Sequence, residues 1–288
     1  MTYFDGLDSR PQPQAGPLKE GGDRPDRVSG VDSAPSALPL MPPSPVSASA
    51  RRWGKPAFWL AMAQAVLVCG IPTQLGVAAV LMLGANMQPF DGEGLSLEFF
   101  ATLSLFDTAL VALLIRLFLI FSRESSRDVF LGRRPVLGEA LRGLALVPVV
   151  LIAVTLIVLG LRTAAPWLQT VQQSPLDAFM RTPLDAAIFL VVVVLAGGVR
   201  EELQRAFILH RFRQHLGGIR LGLVVFSALF GLLHWDQGLD IAVAIGLLGL
   251  FWGIMYAKRR SAVLPMVNHA GFNAAQVAQQ LIARSLGL

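Results

Sequence analysis

Apolar residues gather along this chain in long runs separated by short polar stretches. Seven hydrophobic spans can be counted: about Pro56 to Leu83, Leu95 to Phe121, Leu137 to Leu161, Leu184 to Phe212, Ile219 to Trp235, Leu239 to Tyr256 and Ala262 to Ala283. Each is near or above the ~17 to 25 residues needed to cross a hydrocarbon core as a helix. The seventh is the most polar, with Asn268, His269, Asn273, Gln276, Gln279 and Gln280. A helix of that kind must turn one side to the bundle interior or to water. The pattern predicts an all-α fold, a polytopic membrane helix bundle with about seven transmembrane helices. Ahead of it, residues 1–50 are rich in Pro, Ser, Gly and Asp, as in PQPQAGP and SAPSALPLMPPSPVSASA. Such a segment buries too little apolar surface to offset its ordering entropy, so a disordered tail is expected. No apolar stretch follows Met1, so no cleaved signal peptide is expected.

Composition supports the bundle. Of 288 residues, 54% are hydrophobic and only 15% charged, and the mean hydropathy is +0.58; a soluble domain carries about 25% charged residues. The net charge of +5 does not point to nucleic acid, because Lys and Arg sit mainly in the tail and the short loops. Arg51, Arg52 and Lys55 precede the first span. Arg123, Arg127, Arg133 and Arg134 follow the second, Arg211, Arg213 and Arg220 the fourth, and Lys258, Arg259 and Arg260 the sixth. The alternate loops are acidic or nearly neutral: Asp91, Glu93 and Glu98; Asp177, Arg181 and Asp185; Asp236 and Asp240. By the positive-inside rule the N-terminus is cytoplasmic and the C-terminus outside. A bacterial inner (plasma) membrane is the expected location. The segment Ser122 to Pro135 reads either as an amphipathic stretch along the inner membrane surface or as a plain basic loop. A lone cysteine, Cys69, excludes a disulfide framework and a cysteine metal site and reads as a packing residue. Fixed-period repeats, a glycine-rich phosphate loop and a GxSxG elbow are all absent from the sequence.

The candidate chemistry starts where the apolar run Ala186 to Val199 ends in Arg200, Glu201, Glu202, Leu203, Gln204 and Arg205. Ionisable groups at membrane depth cost at least ~2.5 kcal/mol each and are usually functional. His210 and His215, among arginines, read as solvated helix-end or loop residues. His234 and His269 are instead embedded in apolar spans. His269 and Asn273 are four apart and share a helix face, as do Phe230 and His234. Glu201 and Arg205 are four apart with the acid N-terminal, the better orientation for an ion pair; Glu202 is three from Arg205 and projects to a different side. Each His has an ordinary reading as a packing residue, and a buried Glu–Arg pair an ordinary structural one. Two Glu, two His and an Asn on three helices are more economically explained by one hydrated cavity, since each alone would need its own partner. Counted from the inner helix ends at ~1.5 Å per residue, Glu201, His234 and His269 lie roughly 17, 22 and 12 Å deep, so a common site needs tilted or staggered helices. Carboxylate, imidazole and water suit activation of a hydrolytic water. A second His and an Asn amide suit a developing oxyanion. Zinc on Glu, His and His is the rival, but no HExxH occurs, and a site without metal or other cofactor is favoured.

At these residues the chain resembles the CAAX protease and bacteriocin-processing (CPBP) family, intramembrane glutamate endopeptidases related to the type II CAAX, or Ras-converting, prenyl protease. That family is marked by Glu-Glu-x-x-x-Arg, Phe-x-x-x-His and His-x-x-x-Asn on successive membrane helices. Glu201 and Glu202, Phe230 and His234, and His269 and Asn273 match in order and spacing. The resemblance covers about residues 183 to 280. It divides the chain into a tail (1–50), N-terminal transmembrane helices with the amphipathic loop (51–182) and a CPBP-like catalytic core (183–288). It implies that Glu201 and His234 activate water, that Glu202 supports them, and that His269 and Asn273 stabilise the oxyanion. It also implies a peptide or prenylated-protein substrate met in the lipid bilayer. One position departs: the family arginine falls at Ala206, and this chain has Arg205. The shift moves the guanidinium by about 100° around the helix, which favours pairing with Glu201 over Glu202. The helix is then locally distorted, the acids have exchanged roles, or activity is reduced. The alternative is a non-catalytic membrane transporter, immunity or scaffold protein on the same fold.

Overall fold

The computed structural model describes residues 56–287 except 93, 173 and 174, and leaves the side chains of residues 175 and 177 undescribed. The expected tail, the basic residues Arg51, Arg52 and Lys55, the acid Glu93 and the Asp177 side chain therefore lie outside the described residues.

The first apolar run forms two helices, α1 (Pro56–Val68) and α2 (Ile71–Ala79), the latter running into a π-helical turn at Val80–Gly84. They meet at 51°. The cause is local: Gly70 has φ +97°, which a helix interior does not accept, and Pro72 follows with no amide to donate. A short hairpin, β1 (Phe90–Asp91) paired antiparallel with β2 (Gly94–Leu95), leads into α3 (Leu97–Phe121). Ser96 caps α3 by accepting from the Phe99 amide at 3.2 Å. After a turn come the short α4 (Ser126–Phe130), then α5 (Val136–Ala145) and α6 (Val147–Ala164), which run on as one apolar helix. A capping box between Thr182 and Asp185 starts α7 (Pro183–Val192). α7 passes through a π-helical segment, Val193–Arg200, into α8 (Glu201–Gln214). The chain closes with α9 (Ile219–Leu232), α10 (Leu239–Arg259) and α11 (Val263–Ser285).

This is a multi-helix bundle with several helices able to cross a membrane. Four are long and apolar enough: Leu97–Phe121, Val136–Ala164, Pro183–Gln214 and Leu239–Arg259; the bent pair α1–α2 makes five. The expected count of seven is not reached among the described residues. α9 has 14 residues, about 21 Å at ~1.5 Å per residue, against a core of about 30 Å. α11 is long enough but too polar. The fifth apolar run also ends as a helix earlier than its hydropathy suggests. His234 stands just beyond α9, at the start of a 3-10 turn, rather than inside a span.

Outward faces are apolar, as lipid contact requires: α6 exposes Val149, Ile152, Leu156 and Leu159. Inside, Phe58, Val111, Ile115, Leu119 and Phe207 join α1, α3 and α8. Val150, Phe230, Leu248, Trp252 and Phe272 join α6, α9, α10 and α11. α9 and α10 cross at two glycines. A Cβ on Gly231 would stand 2.6 Å from the Ala242 carbonyl oxygen and 2.9 Å from Gly246 Cα. Small residues at a crossing let backbones approach, a common device of membrane helices.

The basic end of the bundle is pinned by buried polar groups. Val129 is in the core, and its carbonyl accepts from the Tyr256 hydroxyl at 3.2 Å. The Phe130 carbonyl accepts from the Ala262 amide at 2.7 Å. Ser122 to Pro135 thus docks onto α10 and the start of α11, with α4 as its one helical turn. Fully buried Glu139 pairs with Arg259 and with Arg142. Glu124 accepts from Arg211 at 2.6 Å and lies 3.3 Å from His210 Nε2. His210 and Arg211 are buried, which corrects the expectation of a solvated His210: the turn bearing Ser122 and Glu124 folds over the end of α8. His215 is half-buried. Burial alone would push the Glu124 carboxyl up, but hydrogen bonds from Gln214 and Arg211 and the Arg211 charge outweigh it and hold it below its ordinary value.

Two outcomes follow for stability in detergent. Gly231→Ala lowers unfolding free energy by about 1–3 kcal/mol through overpacking, whereas Gly76→Ala, with nothing within 4 Å of the added Cβ, does not lower it; denaturant titration compares them. A depressed folded-state carboxyl contributes stability above its unfolded value and loses it as pH falls through the folded one. The stability gap between wild type and Glu124→Gln is therefore widest near neutral pH and narrows as pH drops through and below about 4.5, which melting curves across pH read directly.

Candidate active site

The site begins at the π-helical segment Val193–Arg200. π-helical turns inside an α-helix often mark functional positions. Here the segment carries Gly197 and Gly198, and α11 packs against both. A Cβ on Gly197 would collide with the Asn273 amide, and one on Gly198 would stand 2.5 Å from Ala270 Cβ. The glycines thus let α11 close onto this segment, bringing His269 level with the first turn of α8. Asn273, half-buried, donates from Nδ2 to the Val193 carbonyl at 3.1 Å.

The two adjacent glutamates then enter different surroundings. Glu202 is 1% exposed and pairs with Arg205, which is fully buried. This corrects the expected Glu201–Arg205 pair. Residues three apart also neighbour each other on a helix, and a guanidinium stripped of water needs its counter-charge in the same desolvated space. Three aromatic rings complete the enclosure: Phe230, Phe226 and Trp252 lie 4.6, 5.3 and 5.4 Å from the guanidinium carbon. The Glu201 side chain keeps 16% of its surface exposed and lies 3.6 Å from Arg200. Arg200 in turn donates to fully buried Asp107 of α3 at 2.6 Å.

His269 stands between the acids. Its Nδ1 is 3.0 Å from Glu202 Oε1 and its Nε2 is 3.9 Å from Glu201 Oε2. Trp252 stacks on the ring at 3.7 Å between centroids, 19° between planes. Trp252 is itself oriented by donating to Asn268 Oδ1 at 2.8 Å, and Asn268 donates to the Gly143 carbonyl at 3.0 Å. With Nδ1 donating to Glu202, Nε2 presents a lone pair toward Glu201.

His234 enters from the end of α9. Its Nδ1 is 2.7 Å from the Phe230 carbonyl, so that nitrogen donates and Nε2 is left as acceptor. The Phe230 ring packs edge-on against both imidazoles, 4.9 Å from His234 and 6.3 Å from His269. The structure thus joins Glu201, Glu202, Arg205, Phe230 and His269 directly. It links His234 to them through Phe230 and places Asn273 one helical turn beyond His269. Among the described residues no group of three His, Cys, Asp or Glu is arranged to hold a metal ion. Sequence reasoning missed Asp107, Trp252 and Asn268. A lone acid inside the apolar run of α3 was a legible signal for Asp107. Asn268 was one polar residue among several, and nothing marked Trp252.

Residues 183–275 match the profile of the family described as Type II CAAX prenyl endopeptidase Rce1-like, so this stretch, less than half of the chain, is a CAAX-protease-like domain. No curated protein and no solved structure matches the chain.

Breaking the enclosed pair is expected to be costly. Arg205→Met strands Glu202 without its cation and destabilises by about 3–5 kcal/mol. Adding Glu202→Gln recovers part of the loss, with a coupling of at least about 1 kcal/mol in a double-mutant cycle read by denaturant unfolding.

Proposed function

We propose that this chain is an intramembrane endopeptidase that hydrolyses peptide bonds with water activated by Glu201. The observation that carries the reading is the placement of a partly exposed carboxylate 3.9 Å from a buried, oriented imidazole. It lies inside a domain similar to a prenyl endopeptidase family. One water can bond both Glu201 Oε2 and His269 Nε2. Glu201 takes its proton as the hydroxide adds to the scissile carbonyl. The negative charge then on the carbonyl oxygen calls for donors, and Asn273 has a second amide hydrogen beyond the one given to Val193. Glu201 passes the proton to the leaving nitrogen. His234, with Nε2 an acceptor, is the other candidate to share the water, as the family resemblance implies. Glu202 and Arg205 hold His269 in register. No step needs a metal, and added zinc is one arm of the test.

The bundle meets its substrate in the bilayer, and the substrate class is a peptide, a prenylated C-terminus included. Clustering of Arg134, Arg142, Arg211 and Arg259 with Glu124 and Glu139 at one end of the bundle supports that end as cytoplasmic in a bacterial inner membrane, with the N-terminus on that side. A second reading, a non-catalytic transporter, immunity or scaffold protein, draws on one observation: each acid has a cation beside it, Glu202 with Arg205 and Glu201 with Arg200.

The test is cleavage of a quenched fluorescent peptide library, prenylated members included, by purified protein in detergent, with and without zinc. Glu201→Gln is expected to lower kcat by about 10²–10⁴-fold, the usual range for a general base, and His269→Ala by a similar factor, while both melt as folded proteins. Full turnover in Glu201→Gln removes the mechanism; no turnover from any folded sample favours the second reading.

A further inference from the structure

An aspartate in the middle of an apolar helix needs a reason to be there. Asp107 lies in α3, outside residues 183–275, and its side chain has no exposed surface. α3 packs along the end of α7 and the π-helical segment: Ala101 and Phe100 meet Val192 and Ala196. Further along the same interface, Asp107 and Arg200 come together at 2.6 Å. Arg200 is nearly as buried, and its other terminal nitrogen is 3.6 Å from Glu201 Oε1. One guanidinium therefore has two carboxylates before it. It bonds Asp107 and stands off from Glu201 by more than a hydrogen bond.

We propose that Asp107 is a positioning residue for Glu201, acting through Arg200. Arg200 is a rigid fork able to bond two oxygens at once. Held by Asp107, it stays out of a contact ion pair with Glu201, and the Asp107 charge offsets its own. Without Asp107, Glu201 is the nearest carboxylate left to that cation. The fork then closes on Glu201 as a charge-assisted bond of about 2.7–2.9 Å. That bond occupies the oxygens that must accept the proton of water. The other charged and titratable groups facing Glu201 are unchanged by this. They are His269 from α11, 3.9 Å away, and Arg205 from α8; Glu202 points to a different side of α8, and His234, at the end of α9, packs against Phe230. The proposal makes the N-terminal helices, which carry none of the motifs, part of the site. Its kinetic arm rests on Glu201 being the base; its labelling arm does not.

The experiment compares wild type, Asp107→Asn, Asp107→Glu and the double variant Asp107→Asn/Arg200→Met, all checked for folding by melting in detergent. A hydrophobic carbodiimide, which adds only to protonated carboxyls, is applied at one fixed pH, and modification of Glu201 is read by mass spectrometry. Peptide cleavage gives kcat and KM. Asp107→Asn is expected to slow Glu201 modification and to lower kcat, each by about tenfold, with KM unchanged, the pattern of a lost chemical-step interaction. Asp107→Glu restores most of both. The double variant, which removes acid and cation together, modifies and turns over near wild type. A folded Asp107→Asn that modifies and cleaves like wild type overturns the proposal. So does slowed modification that the double variant fails to restore, which would assign the pair to packing alone. If Asp107→Asn does not fold, Asp107→Ser, which also removes the charge, takes its place in the same comparison. Wild type that is modified at Glu201 but cleaves no peptide removes the endopeptidase reading, and the labelling arm still judges Asp107.

Discussion

A guanidinium with no exposed surface dictates how the second half of this bundle is assembled. Arg205 cannot be solvated where it sits, so protein groups must replace water on every side. Glu202 supplies the charge, Phe226 and Phe230 of α9 and Trp252 of α10 supply ring faces, and Glu202 is in turn bonded by His269 of α11. Four helices therefore converge on one cation. The imidazole is oriented as a consequence, since its Nδ1 is spoken for by Glu202 and its face by Trp252.

The same arrangement separates two glutamates that are adjacent in the chain. Consecutive residues on a helix point about 100° apart, so burial of one leaves the other on a different wall. Glu202 is enclosed with Arg205. Glu201 keeps some exposure and faces Arg200 and His269 at distances too long for tight pairing. The glycines of the π-helical segment make this possible, because a Cβ at Gly197 or Gly198 would hold α11 away and withdraw His269 from both acids. A backbone irregularity is thus the means by which the Glu201 carboxylate and an oriented imidazole come within 3.9 Å of each other.

Apart from these groups and the Asp107–Arg200 pair, the buried charges among the described residues lie near helix ends. Glu139 with Arg259 and Arg142, and Glu124 with Arg211, tie the loops to the bundle at its basic end. Asp240, also fully buried, pairs with Arg162 at 2.7 Å. In a bundle whose outer surface is apolar, such pairs fix which helix ends meet, a task that packing of similar apolar side chains performs poorly.

The sequence by itself determined the character of the bundle and the types of residue at its site. Runs of apolar residues are a local property, and lipid solvation makes helix the only open-chain answer to them; charges and imidazoles inside such runs are equally visible. The three motifs were legible for the same reason. What the tertiary structure decided concerns choices between local options of similar energy. Arg205 had acids three and four residues before it, both reachable on a helix, and only the aromatic enclosure from α9 and α10 selected Glu202. His210 looked solvated beside arginines until the Ser122–Glu124 turn covered it. Hydropathy could not show that α9 stops at Leu232 with His234 beyond it, because the run stays apolar past the helix end. Asp107 gained its meaning only when α3 was laid against the π-helical segment, since a contact between residues 93 positions apart is written in packing and not in any local pattern.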